Sequence, residues 1–278
     1  MPLKLATWNI NSVRLRLELI LRFLKEIAPD VLCLQETKCP DDRFPVRSFK
    51  ELGYEHIAIR GQAGYNGVAI ISRIPLSEVR HHPFCNRPDT RHIAVTLQTE
   101  SGALALHNAY VPAGGDIPDP MINEKFAHKL AFLKEMRDWF GDAGIHGKRP
   151  MVLVGDLNIA PLATDVWSHK QLLNVVSHTP VEVEALNGVQ EAHGFIDVVR
   201  RHIPVHERLY SWWSYRARDW RASNRGRRLD HIWVSPLLGP TSLDAKVLDN
   251  ARDWTRPSDH VPVIATFDLA RGAGRRFS

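Results

Sequence analysis

"VLVGDLNIAP", residues 152–161, begins as a strand for a buried sheet and breaks off into chemistry. Val152, Leu153 and Val154 are a continuous apolar run; Gly155, Asp156 and Asn158 follow at once. Residues two apart in an extended chain share a face, so the spacing places the carboxylate and the amide side by side at the strand's end. Polar side chains paired in this way at the end of an apolar strand are candidates for work on a substrate.

Outward from this segment, strands and helices alternate. Residues 3–9 and 30–36 read as strands, and between them Leu15, Leu19, Phe23 and Ile27 recur at helical spacing until Pro29 closes the helix. Further strands are expected at 54–59, 67–72, 92–98 and 103–110, some joined by turns short enough to require antiparallel pairing. After the loop "PAGGDIPDP", a long helix over about 121–140 turns Phe126, Leu130, Leu133, Met136 and Phe140 towards the core. Residues 229–235 and 261–267 supply late strands. The pattern is α/β, and without any linker-like interval residues 1–270 read as one domain. The basic tail 271–278 reads as frayed.

Composition narrows the class. Of the 278 residues 44% are hydrophobic and 24% charged, enough apolar material for a large core. No run approaches the roughly 20 apolar residues of a membrane span, and the opening "MPLKLATWNI" carries no signal-peptide pattern, so a cytoplasmic protein without membrane contact is expected. Cys33, Cys39 and Cys85 are odd in number and unpaired in spacing, which suits a reducing compartment. The net charge of +5 is informative chiefly through its placement. Between 211 and 230, Arg216, Arg218, Arg221, Arg225, Arg227 and Arg228 interleave with Trp212, Trp213, Tyr215 and Trp220. Guanidinium groups pair with phosphates and aromatic rings wedge against bases, so this reads as a nucleic-acid contact loop.

Polar residues interrupt the apolar strands at their ends: Asn9, Glu36, Tyr110, Asp156 with Asn158, Asp230, and Asp259 with His260. Any one of these could merely cap a turn. If the sheets bring all of them to one rim, however, they build a pocket of hard oxygen donors with one imidazole and no thiolate. Such a set suits Mg²⁺ or Mn²⁺ and not structural zinc. Asp259 and His260, as neighbours in an extended chain, point to opposite sides, so a direct pair between their side chains is geometrically awkward. His81 and His82, adjacent in a loop, read as incidental.

The successive motifs "WNINSVR" (8–14), "LQETK" (34–38), "GDLNIAP" (155–161), "NRGRRLDHIW" (224–233) and "RPSDHVPV" (256–263), with "SWWSYR" ahead of Asp230, resemble in order those of the exonuclease III family of abasic-site endonucleases. The resemblance spans nearly the whole chain. It implies a four-layer α/β sandwich, two mixed sheets face to face with helices outside, and a metal-dependent hydrolase of DNA in base excision repair. The implied activities are incision 5′ of abasic sites, 3′ to 5′ exonuclease and 3′ end-cleaning. By matching position, Tyr110, Asp156, Asn158, Asp230 and His260 are implied as catalytic, and Asn9, Glu36, Asp156, Asn158, Asp259 and His260 as the metal's surroundings. Asp156 would activate or orient the water while Asn158 holds the reacting group; Asp230 would orient His260, and Tyr110 would contact phosphate. Trp212 falls where the family places a wall against the extruded sugar, with Arg91, Lys125, Arg216 and Asn224 as further contacts to double-stranded DNA. A monomer is expected. Phosphatases of inositol phosphates and sphingomyelin hydrolases share the Asn, Glu, Asp-x-Asn and Asp-His pattern, and the aromatic-arginine loop argues against them. A catalytically idle DNA-binding protein would not need every one of these positions filled.

Overall fold

The computed structural model describes residues 2–147 and 149–272. In chain order the strands are β1 (Leu3–Asn9), β2 (Val31–Gln35), β3 (His56–Arg60), β4 (Val68–Ser72), β5 (Leu76–Arg80), β6 (His92–Thr99), β7 (Gly102–Tyr110), β8 (Met151–Asp156), β9 (Ile196–Asp197), β10 (Trp212–Trp213), β11 (Gly226–Arg227), β12 (Asp230–Val234), β13 (Ser242–Val247) and β14 (Val263–Phe267). The helices are α1 (Leu17–Glu26), α2 (Val46–Lys50), α3 (Glu124–Gly141), α4 (Ala143–His146), α5 (His169–Leu172), α6 (Pro180–His193), α7 (Val198–His202) and α8 (Trp220–Ser223).

Two six-stranded sheets run β13-β14-β1-β2-β4-β3 and β5-β6-β7-β8-β12-β9. Each is mixed: β1 and β2 are parallel in one, β7 and β8 in the other, and the remaining neighbours are antiparallel. The inner faces share one core in which Leu5, Val31 and Ile70 meet Ile93, Leu106, Val152 and Ile232. On the outer face of the first sheet, Ile20, Phe23 and Leu24 of α1 pack against Trp8, Leu32 and Ile71. On the outer face of the second, Phe132, Leu133, Met136 and Phe140 of α3 and Leu186 and Val189 of α6 cover Leu153 and Trp233. The layers are therefore helix, sheet, sheet, helix, and strands buried on both faces read as unbroken apolar runs.

Several sequence expectations shift in detail. Leu15 is exposed and precedes α1, whose buried stripe is Ile20, Phe23 and Leu24. On α3 the stripe runs through Phe126, Lys129, Phe132, Leu133, Met136 and Phe140, with Leu130 only half-buried. The edge strands β5 and β13, polar and partly exposed, went unpredicted because they lack an apolar run. Residues 271 and 272 of the expected frayed tail fall in a short turn, Leu269–Gly272; 273–278 lie outside the described residues. No helix among the described residues is long and apolar enough to cross a membrane.

Candidate active site

Strand register builds the rim. In the second sheet Tyr110 of β7 pairs with Asp156 of β8, and Asp156 pairs with Asp230 of β12, so three polar residues stand abreast. In the first sheet Asn9 ends β1 opposite Gln35, and Glu36 follows in a left-handed conformation (φ 49°) that turns it out of β2. Gly155 makes the row possible. Its φ is 142°, and a Cβ there would collide with the Ala109 carbonyl oxygen, so any side chain would push β7 and β8 apart.

The sheets are joined at the rim by one amide. Asn9 Nδ2 donates to Glu36 Oε1 at 2.9 Å and to Asp156 Oδ2 at 2.8 Å. Behind it, Gln35 Nε2 donates to Asn108 Oδ1 at 2.7 Å and to Thr7 Oγ1 at 2.9 Å, a buried polar tie across the inter-sheet core that the sequence did not reveal. The pairing of Asp156 with Asn158 is real but arises differently from the expectation. Strand β8 stops at Asp156, Asn158 sits at φ 55°, and Asp156 Oδ1 accepts from the Asn158 backbone N–H at 3.0 Å. The two meet through an Asx turn, not through the pleat. Asn158 Nδ2 donates to the Val111 carbonyl at 2.9 Å and lies 3.2 Å from Asp156 Oδ2.

His260 is held between two carboxylates, its Nδ1 donating to Asp230 Oδ2 at 2.8 Å and its Nε2 3.6 Å from Asp156 Oδ2. Burial favours the neutral ring, but the charges of Asp230 and Asp156 outweigh it and hold the pKa well above the usual histidine value. In the protonated state its Nε2 donates a hydrogen bond, and only the neutral ring offers a lone pair to a metal. Burial and the nearby Asp230 and Glu36 push Asp156 up, against the pull of His260 and the Asn9 amide. Glu36 goes the other way: burial raises it, but hydrogen bonds from Asn9 and Lys38, whose Nζ is 2.8 Å from Oε2, bring it below the usual range. Tyr110 is buried and hydrogen-bonded to Glu36; burial, with the charges of Glu36 and Asp156, keeps it a phenol.

Asp259 hydrogen-bonds to Asn11, Trp212 and Ser258 and not to the His260 ring. Its oxygens accept from Asn11 Nδ2 at 3.1 Å and Trp212 Nε1 at 3.0 Å, so it braces the indole. Ser211 and Asn11 went unremarked in the sequence; Ser211 Oγ donates to Asp230 Oδ2 at 2.7 Å, and nothing distinguishes a lone serine in advance.

These groups open into a cleft of about 730 Å³ lined by Glu36, Tyr110, Asp156, Asn158, Trp212, Arg216, Arg225, Asp259 and His260, among others. It shares Tyr110, Ala113 and Gly115 with an adjoining basin of about 760 Å³ that holds Arg87, Arg91 and Lys125. Arg91 stacks over the Tyr110 ring at 4.7 Å and pairs with Asp89 at 2.7 Å. The arginine-rich loop divides. Arg216 and Arg225 face the cleft, and Arg227 lies over the Trp212 ring at 5.3 Å. Arg228, read as part of the contact loop, is instead 1% exposed and paired with Asp165 and Asp197, because burial forces a guanidinium to find carboxylates. Arg221 pairs with Asp253. Asn224 ends α8 in a left-handed conformation and accepts from Trp213 Nε1 at 3.2 Å, and it is not among the cleft-lining residues.

Among the described residues, one group of three potential metal-ligating side chains converges: Asp156, Asp230 and His260, with donor atoms within 4.8 Å of one another. Beside this group, Asn9 links Asp156 to Glu36, which adds a further carboxylate to the cleft.

Residues 6–260 match the model of the Endonuclease/Exonuclease/phosphatase family. Exodeoxyribonuclease III of Haemophilus influenzae is 31% identical over 95% of this chain and 100% of its own. An AP endonuclease from Archaeoglobus fulgidus superposes with a TM-score of 0.87 at 34% identity, over 96% of this chain and 99% of that one. A 3′-5′ exonuclease from Neisseria meningitidis gives 0.86 at 31%, over 96% and 100%.

Proposed function

The chain belongs to the exonuclease III branch of the Endonuclease/Exonuclease/phosphatase family and is a phosphodiester-hydrolysing DNA-repair nuclease, and from that premise we propose that it cuts duplex DNA immediately 5′ of abasic sites and trims 3′ ends, acting as a monomer in the cytoplasm. The observation that carries this reading is the meeting of Asn9, Glu36, Asp156 and the Asp230–His260 pair at the mouth of a cleft walled by Trp212.

Hydrolysis of a phosphodiester needs an aligned water, neutralisation of the nonbridging oxygens and help for the departing 3′ oxygen. Asp156, raised towards neutrality by burial, can accept the water's proton. Imidazolium His260, anchored by Asp230, donates to a nonbridging oxygen as charge builds there. Tyr110, a phenol backed by Arg91, can donate to the same phosphate. Glu36 and Asp156, aligned by Asn9, offer hard oxygen donors that fit Mg²⁺ or Mn²⁺, with Asn158 near. A divalent ion bound there supplies charge to the phosphate and the leaving oxygen.

Trp212 is braced by Asp259, and a rigid indole wall fits a flipped sugar without a base; an abasic nucleotide costs less to extrude than an intact one. Arg91, Lys125, Arg216 and Arg225 line the adjoining basins as phosphate partners, so binding should weaken with salt.

The test is a 5′-labelled duplex with one abasic analogue, incubated with Mg²⁺, Mn²⁺ or EDTA beside an Asp156→Asn control. A single metal-dependent cut 5′ of the abasic position, lost in the control, is expected. An intact duplex bound by folded protein under all conditions would overturn the reading.

A further inference from the structure

The turn that carries Asp156 and Asn158 is gripped from behind by a buried charge. Lys129, one helical step from Phe126 on the apolar stripe of α3, is 0% exposed. An ammonium has three N–H donors, and here each finds an acceptor: Glu182 Oε1 at 2.5 Å, the Asn158 carbonyl at 2.8 Å and the Ala113 carbonyl at 3.3 Å. Glu182, also 0% exposed, is fixed in the first turn of α6, where it accepts from the Ser177 N–H at 2.9 Å, the Thr179 N–H at 3.2 Å and the Thr179 hydroxyl at 2.6 Å. The stem of Lys129 is confined too, because a Cβ on Gly114 would meet its Cδ at 2.9 Å.

Stability alone does not account for such a pair. Moving two charges into a core carries a desolvation cost that their attraction roughly offsets, and apolar replacements of similar volume are often neutral or stabilising. What an apolar pair cannot do is hold two carbonyls. One of them belongs to Asn158, whose left-handed backbone must be held by its surroundings. The other belongs to Ala113, on the loop that follows β7 and lines both basins of the cleft. The Asn158 N–H is tied to Asp156 and its side-chain amide to Val111, and Lys129 adds a hold on its carbonyl.

We propose that Lys129, neutralised by Glu182, is a positioning residue for hydrolysis: by holding the Asn158 and Ala113 carbonyls it fixes the Asp156–Asn158 turn and the cleft edge in the geometry the reacting phosphate requires. The inference rests on the roles given to Asp156 and Asn158 above.

The test pairs Lys129→Met with Glu182→Gln, which removes both charges while leaving an acceptor for the α6 cap. Measured are kcat and KM on the abasic duplex, affinity for the uncut duplex in EDTA, and Tm. Expected is a loss in kcat of about 10- to 100-fold, since small misplacements of a reacting group cost on that order, with KM and affinity nearly unchanged and Tm lowered only modestly by the two freed carbonyls. Unchanged kcat overturns the proposal, as does a parallel fall of kcat, affinity and Tm, which would mark a merely structural role. If the double variant does not fold, Lys129→Arg keeps the charge opposite Glu182, but a planar fork cannot reproduce three tetrahedrally spread bonds; it should show the same split, and full kcat there also overturns the proposal. Asp156→Asn and Asn158→Ala separate the two levels. If they remain active, the site reading fails; if they are inactive while the Lys129 variants keep full kcat, only the positioning claim fails.

Discussion

Asn9, at the end of one sheet, donates its side-chain amide across 2.8 Å to Asp156, at the end of the other. The same nitrogen serves Glu36, so one small group sets the spacing of two carboxylates that would otherwise repel. Asn9→Ala should fold with a loss of about 1–3 kcal/mol, the usual consequence of leaving buried acceptors unpaired, and lose about 10²–10³ in kcat. Thermal unfolding and steady-state cleavage check both; a variant as active as the parent would show that the carboxylates hold their own spacing.

Asp230, more than Asp156, raises the pKa of the His260 ring, against the effect of burial. In Asp230→Asn the ring's pKa should fall towards the ordinary histidine value, visible by NMR titration of the metal-free protein, and kcat at pH 7.5 should drop by about 10²–10⁴, as when the orienting carboxylate of a catalytic histidine is removed. A histidine still protonated at that pH would point to Asp156 as the main source of the raised pKa.

Trp212 combines a wall with a tether, since its indole N–H holds Asp259. Trp212→Phe keeps the ring and releases Asp259, whereas Trp212→Ala removes both. Discrimination between abasic and intact duplexes should survive in the first and fall in the second, with overall duplex affinity changed little in either. Equal loss of discrimination in both would assign selectivity to the tether.

A buried group of imidazoles outside the cleft predicts a loss of stability in acid. His107 and His146 are brought down to about 3 and about 4, chiefly by burial and by neighbouring histidines, and His92 lies well below 6.5 for the same reasons. His92 Nε2 and His107 Nδ1 share one hydrogen bond at 3.1 Å, and Trp139 packs against His82, His92, His107 and His146. The folded state disfavours protonation of His92, His107 and His146, whereas the unfolded chain protonates them near pH 6.5. Their contribution is therefore intact above about pH 6.5 and is lost progressively as pH falls towards 4, each ring costing up to about 1.4 kcal/mol for every pH step below that point at which only the unfolded chain binds its proton. Unfolding midpoints in urea between pH 7.5 and 4.5 should fall accordingly, and His107→Gln should flatten the slope; a flat wild-type profile would contradict it.

Much of the site was legible because catalysis puts polar residues where folding alone would put apolar ones. Asp156, Asp230 and Asn9 interrupt apolar strands at their ends, and register then sets Tyr110, Asp156 and Asp230 in one row. What stayed hidden were the residues that answer to burial. Arg228 resembles its exposed neighbours in composition, and only its contacts with Asp165 and Asp197 set it apart. Lys129 left a faint signal, a charge standing at a stripe position among Phe126, Leu133 and Met136. Its partner Glu182 lies fifty-three residues on, inside an ordinary helix cap, where no local pattern connects the two. Asn158 was paired correctly with Asp156 for the wrong geometric reason, since alternation along a strand and an Asx turn both bring residues two apart together.

The first and last strands among the described residues, β1 and β14, are neighbours in one sheet, and Ser258 Oγ donates to the carbonyl of Asn9 at 2.7 Å across 249 residues of sequence. Trp8 likewise donates its indole N–H to the His260 carbonyl. The rim is thus closed by contacts between residues far apart in sequence, and long-range strand pairings are slow to gain. Asn9 at one end of the sequence and His260 near the other are held in place by each other's strands, so the two ends of the chain must meet before the rim has its geometry.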